Sequence, residues 1–398
     1  MSTVTGPPER SGSLNVHVNA VGAVMGGAAR HLGPFLTALR AQRPRWSLTV
    51  WVTEGVGRSG LPEGVEVRQV AQLNPLRRLW WESVSLRRVL ETGRADVLVN
   101  LTNSGPLRSP VPSVLYQRNP IWFDPAWVRR HGPGRFRAEA FLRRSLAYAQ
   151  MARACAVIVP SRAMATYLGS WRGMPVGARS RVHTIPHAVD VREFPFVPRP
   201  WPPPTNRPLR LLSVSHGAPH KNQEILARLL RILLDRGVDA TIDLTVALED
   251  APSYVEGLRR EAVRHGVEDR FHLLGRVREV QRLYAESDLL VLPSFTESFG
   301  FPVVEAMASG LPVVASAIGS SIELLADHGW FFPPDDPDAA ADAVGEALST
   351  PPQRMAEILE RASTVAATLS WRANADAVIR VIESCAAAPV APPCRSRT

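Results

Sequence analysis

Residues 288–316 read DLLVLPSFTESFGFPVVEAMASGLPVVAS, and this stretch decides the fold. Its opening run, Leu289 to Leu292, is short and wholly apolar, as a strand buried on both faces must be. A polar loop from Ser294 to Gly300 leads into FPVVEAMAS, where Pro302 suits a first helical turn and Gly310 the residue past a helix end. PVVAS then returns as a second buried strand. Strand, loop, helix and strand in succession are the repeating unit of a parallel, doubly wound sheet.

The same alternation runs outward in both directions. Before it, LRLLSVS, ATIDLTVA and FHLLGRV read as strands, separated by the helices NQEILARLLRILLDRG, ended by Gly237, and SYVEGLRREAVRHG; VQRLYAES is a further helix. Upstream of these lies FPFVPRPWPPPTNRP, with too many prolines for a helix or a central strand, which reads as a semi-rigid linker. The first half begins a second such pattern. LNVHVNAVG is a strand entering the loop Gly22 to Gly27, AARHLGPFLTALRAQ a helix, and SLTVWVT, ADVLVNLT, PSVLYQRN and CAVIVPS are strands. Two short strands are expected around IPHAVD. The organisation that follows is a flexible N-terminus over 1–12, an α/β domain over 13–195, a linker over 196–208, a second α/β domain over 209–370, an amphipathic helix over 371–388 and a loose tail over 389–398.

A chain of 398 residues, 45% apolar, is long enough for two cores and too apolar for disorder. Cys155, Cys385 and Cys394 are odd in number and widely spaced, which supports neither a disulfide framework nor a zinc site. The first dozen residues lack the pattern of a signal peptide, and no apolar run approaches the ~20 residues of a membrane span, so the expectation is a cytoplasmic protein. The net charge of +9 is unevenly shared. Residues 1–195 hold 26 arginines and 11 acidic residues, or +15; the rest holds 20 basic and 26 acidic residues, or −6. Arginine pairs at 77–78, 87–88, 129–130 and 143–144 stand among Trp, Phe and Leu. That pattern suits peripheral contact with an anionic membrane or a phosphate-bearing partner, and equally a solvated surface. No recognised nucleic-acid-binding motif accompanies it. No oligomeric state follows from the sequence.

Lys221 is the single lysine among 46 basic residues. It follows the strand LRLLSVS and the loop HGAPH, at the edge of the sheet where doubly wound folds bind ligands. A compact ammonium there suits a phosphate whose charge changes during reaction. Glu297 lies in the loop before the Gly300 turn and Glu305 inside the helix that follows. A helix N-terminus is an anion site, and an acidic residue beside it can hold a ribose diol. The pair Asp336 and Asp338 resembles a metal motif, but Pro337 and the following alanines make Asp336 a helix cap.

ESFGFPVVE, within PSFTESFGFPVVEAMASGLPVVAS, resembles the signature of the family-4 retaining glycosyltransferases (glycosyl transferases group 1), with two glutamates flanking a glycine turn. VSHGAPHKN is similar to that family's phosphate-binding loop, MGGAARHLGPFLTAL to its glycine-rich acceptor-side loop, and RVHTIPHAVD to the end of its first domain. The likeness extends from about Leu14 to Ala386. It implies the GT-B fold, two Rossmann-like domains facing each other across a cleft, with the helix from Trp371 crossing back onto the first. It also implies transfer of a sugar with retention from a nucleoside-diphosphate sugar to a hydroxyl acceptor, without metal or other cofactor. Lys221 would hold the diphosphate, Glu305 the ribose and Glu297 the transferred sugar. The backbone of Ser298, Phe299, Gly300 and Phe301 would bind phosphate or sugar, Val277 would approach the base, and Ser215, His220 and Asn222 would complete the donor site. Gly26 and Gly27 would allow close approach from the first domain. Front-face and covalent routes both remain open.

The chain departs from its relatives at two places. Ser215 stands where many carry arginine and His220 where many carry another, so that Lys221 bears more of the diphosphate charge or His220 acts as a titrating donor. Arg118 and Asn119, rather than a histidine, would face the reacting sugar or the acceptor. Epimerase or phosphorylase chemistry, and an inactive nucleotide-sugar-binding relative, are the alternatives.

Overall fold

The computed structural model describes residues 13–23, 26–55, 60–249 and 251–387. The expected flexible N-terminus and tail lie outside them. Two parallel sheets organise the chain. The first has seven strands: β1 (Asn15–Asn19), β2 (Ser47–Thr53), β3 (Val65–Val70), β4 (Val97–Asn100), β5 (Ser113–Tyr116), β6 (Ala156–Val159) and β7 (Val182–Thr184), in the order β3-β2-β1-β4-β5-β6-β7. The second has six: β8 (Leu209–Ser213), β9 (Ala240–Leu244), β10 (Phe271–Leu273), β11 (Leu289–Leu292), β12 (Val313–Ser316) and β13 (Trp330–Phe332), in the order β10-β9-β8-β11-β12-β13. Each order reverses direction beside its first strand, the crossover point at which such sheets bind ligands. The central strands VLVN, AVIV, LLVL and VVAS are buried at every residue, because helices cover both faces.

The fold departs from the sequence expectations in the first half. Only Val182–Thr184 forms a strand near IPHAVD. Pro186 has no N–H for a ladder, and the Val189 N–H bonds the Leu369 carbonyl instead of a neighbouring strand. Strand β3, VEVRQV, was not anticipated. It is a half-exposed edge strand whose charged residues hide the apolar alternation. The linker is pinned to the second domain: the Arg199 guanidinium donates to the carbonyls of Gly310 at 2.9 Å, Ser287 at 2.5 Å, Ala285 at 3.2 Å and Tyr284.

The helix Trp371–Ala387 returns to the first sheet. Val378, Ile379, Val381, Ile382 and Cys385 join the core formed by Val16, Val18, Phe35, Leu36 and Val99. Asn374 donates to the Pro186 carbonyl at 2.6 Å, and Arg43 pairs with Glu383 at 2.8 Å. No helix among the described residues is long and apolar enough to cross a membrane.

Candidate active site

At the C-terminal edge of the second sheet, β8 leads to the short 3-10 turn Pro219–Lys221, and β11 to the loop before helix Phe301–Ser309. The two loops are tied together. The Phe295 N–H donates to the His220 carbonyl at 2.9 Å. Asn222, in the left-handed region at φ 55°, donates its side-chain amide to the carbonyls of Pro293 at 3.1 Å and Pro334 at 2.5 Å. Asn222 is therefore a brace that fixes the backbone beside Lys221.

This bracing brings Lys221 and Glu297, 76 positions apart, into one ion pair: Nζ lies 2.5 Å from Oε1, with both side chains about nine-tenths buried. The Ser294 hydroxyl donates to the same oxygen at 3.0 Å. Burial alone would raise the Glu297 pKa, but the Lys221 charge and hydrogen bond, with His220 and Ser294, hold it below its ordinary value. Glu297 is thus kept ionised against its own burial. His220 moves the other way. Desolvation first, and the Lys221 ammonium second, lower its pKa to about 3. The expected titrating donor is a neutral imidazole, and Lys221 carries the cationic charge of this loop.

Glu305 is buried in the helix Phe301–Ser309, where its Oε2 accepts from the Tyr284 hydroxyl at 2.7 Å. Gly300 precedes that helix at φ +106°, and Gly310 ends it at φ +68°. The Phe299 side chain is buried in the apolar core, and Phe301 stacks on His187 with centroids 5.1 Å apart. These two side chains are thus engaged within the protein, and the turn presents its backbone at the helix N-terminus. The Ser215 hydroxyl accepts from Gln223 at 2.7 Å. Val277 is half-buried in the loop beyond β10. Gly26 and Gly27 open the helix Gly26–Gln42, which carries His31 into the interface core.

On the facing edge of the first sheet, Arg118 folds back onto the Leu101 carbonyl, and burial lowers its pKa to about 10. Asn119 accepts from the Ile121 N–H at 3.1 Å, closing a turn. Arg118 is thus held by the protein itself, and Asn119 uses its amide oxygen within the turn. Contacts that sequence spacing could not reveal come from elsewhere in this domain. The Trp127 ring lies 5.6 Å from Phe295 and 6.2 Å from His220, and the Arg130 guanidinium sits 4.0 Å over Phe295. Arg130 also pairs with Asp335. Asp336 accepts from the Ala339 N–H at 2.9 Å and is a helix cap, as its sequence context implied.

Two facing parallel α/β domains, a crossover helix and a lysine-carboxylate pair before a helix N-terminus define a GT-B architecture. The family model described as Glycosyltransferase Family 4 matches residues 25–193, and that described as Glycosyl transferases group 1 matches residues 208–350. Together they take in most of the chain, which belongs to this glycosyltransferase family. The Anabaena protein HepE, solved with UDP and glucose, superposes with a TM-score of 0.71 at 20% identity, over 93% of this chain and 100% of that one. Sucrose-phosphate synthase from Thermosynechococcus elongatus superposes with a TM-score of 0.73 at 18% identity, over 93% and 98%. Curated relatives include the D-inositol 3-phosphate glycosyltransferase of Streptomyces griseus, 32% identical over 41% of this chain and 36% of that protein. A second, from Catenulispora acidiphila, is 33% identical over 43% and 42%. The match thus spans well under half the length of these two relatives.

Proposed function

We propose that the protein is a retaining, metal-independent glycosyltransferase that moves a sugar from a nucleoside-diphosphate sugar to a hydroxyl acceptor. The observation that carries this is the buried Lys221–Glu297 pair at the mouth of the helix Phe301–Ser309. Departure of a nucleoside diphosphate is the hard step, and negative charge grows on its phosphates. An ammonium and a helix N-terminus beside the phosphates stabilise that charge. Lys221 turns from Glu297 to the diphosphate, and the released carboxylate, already ionised, faces the positive charge that develops on the sugar. Glu305, steadied by Tyr284, holds the ribose. Backbone groups of Ser298 to Phe301 bind phosphate or sugar, Val277 approaches the base, and the backbone of Gly26 and Gly27 approaches from the other side.

The units that perform this are residues 13–195 on the acceptor side and 209–370 on the donor side, joined by the linker 196–208 and the crossover helix 371–388. Each unit has its own sheet and apolar core, which supports the division. UDP-sugars are the first donors to try, because HepE is described in complex with UDP-glucose. The acceptor meets the arginine-rich first domain. There the helix Arg135–Met151 exposes Phe141 at 67% and Leu142 at 69% beside Arg137 and Arg143, a surface suited to peripheral contact with an anionic membrane from the cytoplasmic side.

The test is a panel of nucleotide sugars assayed for nucleotide release by the purified chain. Release that is slow alone and rises with a hydroxyl acceptor is expected. Isomerised donor, phosphate-dependent turnover, or binding without any turnover would replace the proposal with an epimerase, a phosphorylase or an inactive relative. Equal association with neutral and anionic vesicles at low salt would remove the membrane contact.

A further inference from the structure

The helix Arg162–Gly169 of the first domain is capped in part by the second. Ser161 is its N-cap: the hydroxyl accepts from the Met164 N–H at 3.0 Å and donates to the Ser298 carbonyl at 2.6 Å. The next two amides are answered from across the interface. Glu323 Oε1 accepts from the Arg162 N–H and Oε2 from the Ala163 N–H, each at 3.0 Å. A helix start at a protein surface can give these amides to water, so a carboxylate supplied by another domain serves to join the domains. Backbones also approach closely here. A Cβ placed on Gly319 would lie 2.9 Å from the Ala163 Cβ and 3.5 Å from the Tyr167 hydroxyl. The Arg162 guanidinium lies 3.4 Å from Glu323, but it is 79% exposed and adds little.

We infer that Ser161 and Glu323 form an interdomain clasp that holds the first domain against the loop carrying Glu297, which makes both of them positioning residues. Ser298 follows Glu297 directly, so the Ser161 hydroxyl fixes the backbone from which the reacting carboxylate hangs. Glu323 fixes the helix that carries Ser161. The geometric part stands on contacts between the domains; the catalytic consequence rests on the proposed glycosyl transfer.

The clasp is tested in the full chain with Gly319→Ala, Ala163→Gly and the double variant. The added methyl should pry the domains apart, and removal of the Ala163 methyl should let them close again. Small-angle X-ray scattering, with and without UDP, should give Gly319→Ala a larger radius of gyration than wild type and return the double variant to the wild-type value. Glu323→Ala removes the two amide contacts without adding bulk and should expand the molecule as well. Circular dichroism checks that each variant is folded. Equal radii for wild type, Gly319→Ala and Glu323→Ala in both conditions, or a double variant as expanded as the single one, would overturn the clasp. Scattering reads domain separation even in a chain that transfers no sugar, so loss of the transferase proposal would leave this result interpretable. With a working donor, turnover in Gly319→Ala should fall roughly tenfold to a hundredfold, with the donor KM nearly unchanged and recovery in the double variant.

Discussion

Each sheet carries a buried carboxylate at its C-terminal edge, and the two are held differently. In the first domain Glu82 is fully buried within a single π-helical turn, Glu82–Leu86. It accepts from Asn19 at 3.0 Å, Arg78 at 3.0 Å, and Ser104 at 2.9 and 2.8 Å on its two oxygens. Asn19 also bonds Asn100, at the end of the adjacent strand. In the second domain Glu297 accepts from Lys221 and Ser294, both on one oxygen. The first carboxylate is locked by several groups from separate elements, a pattern that serves the scaffold. The second depends on one flexible cation that can turn to another anion. Burial and charge pairing alone do not separate structure from function; the number and replaceability of the partners do.

That comparison can be broken. The largest effect expected is on turnover. Lys221→Ala should lower it by about 10²- to 10³-fold in a steady-state assay, the scale of removing a fixed charge-stabilising donor. Next is stability. Glu82→Ala leaves the mostly buried Arg78 without its carboxylate and should cost about 3–5 kcal/mol in urea unfolding. Glu297→Gln should lose activity at a smaller stability cost than Glu82→Ala, since the glutamine oxygen can still accept from Lys221 and Ser294. Equal destabilisation by the two changes would erase the distinction.

The smallest effect concerns pH. The folded-state pKa of Glu297 lies below its ordinary value of 4.5. Its ionisation therefore contributes stability above about pH 4.5, and the contribution disappears as pH falls through the lower folded value. The stability gap between wild type and Glu297→Gln should shift in that direction on acidification. In Lys221→Ala burial becomes dominant, and the Glu297 titration followed by carboxyl NMR should move upward.

Much of this was legible in the residues. Continuous apolar runs marked the buried strands, and Pro302 and Gly310 marked the ends of the helix between β11 and β12. The uniqueness of Lys221 singled out the loop that pairs with Glu297. Local signals failed where structure is nonlocal or at an edge. Strand β3 alternates with charges, and the π-helical turn at Glu82 breaks the 3.6-residue period that reveals a helix. The Lys221–Glu297 pair, the Tyr284 support of Glu305, the Trp127 contact with Phe295 and the Glu323 cap all join distant positions. His220 illustrates a different limit. Its type suggested titration near neutrality, and only the packing around it shows why it stays uncharged.

The most direct test of the central claim is nucleotide binding by isothermal titration calorimetry to wild type and Lys221→Ala, using the nucleoside diphosphate of whichever donor the panel identifies. The account predicts measurable affinity for the wild type and at least about a tenfold loss in the variant, the scale of one charge-assisted contact. Unchanged affinity in a folded Lys221→Ala protein would contradict it.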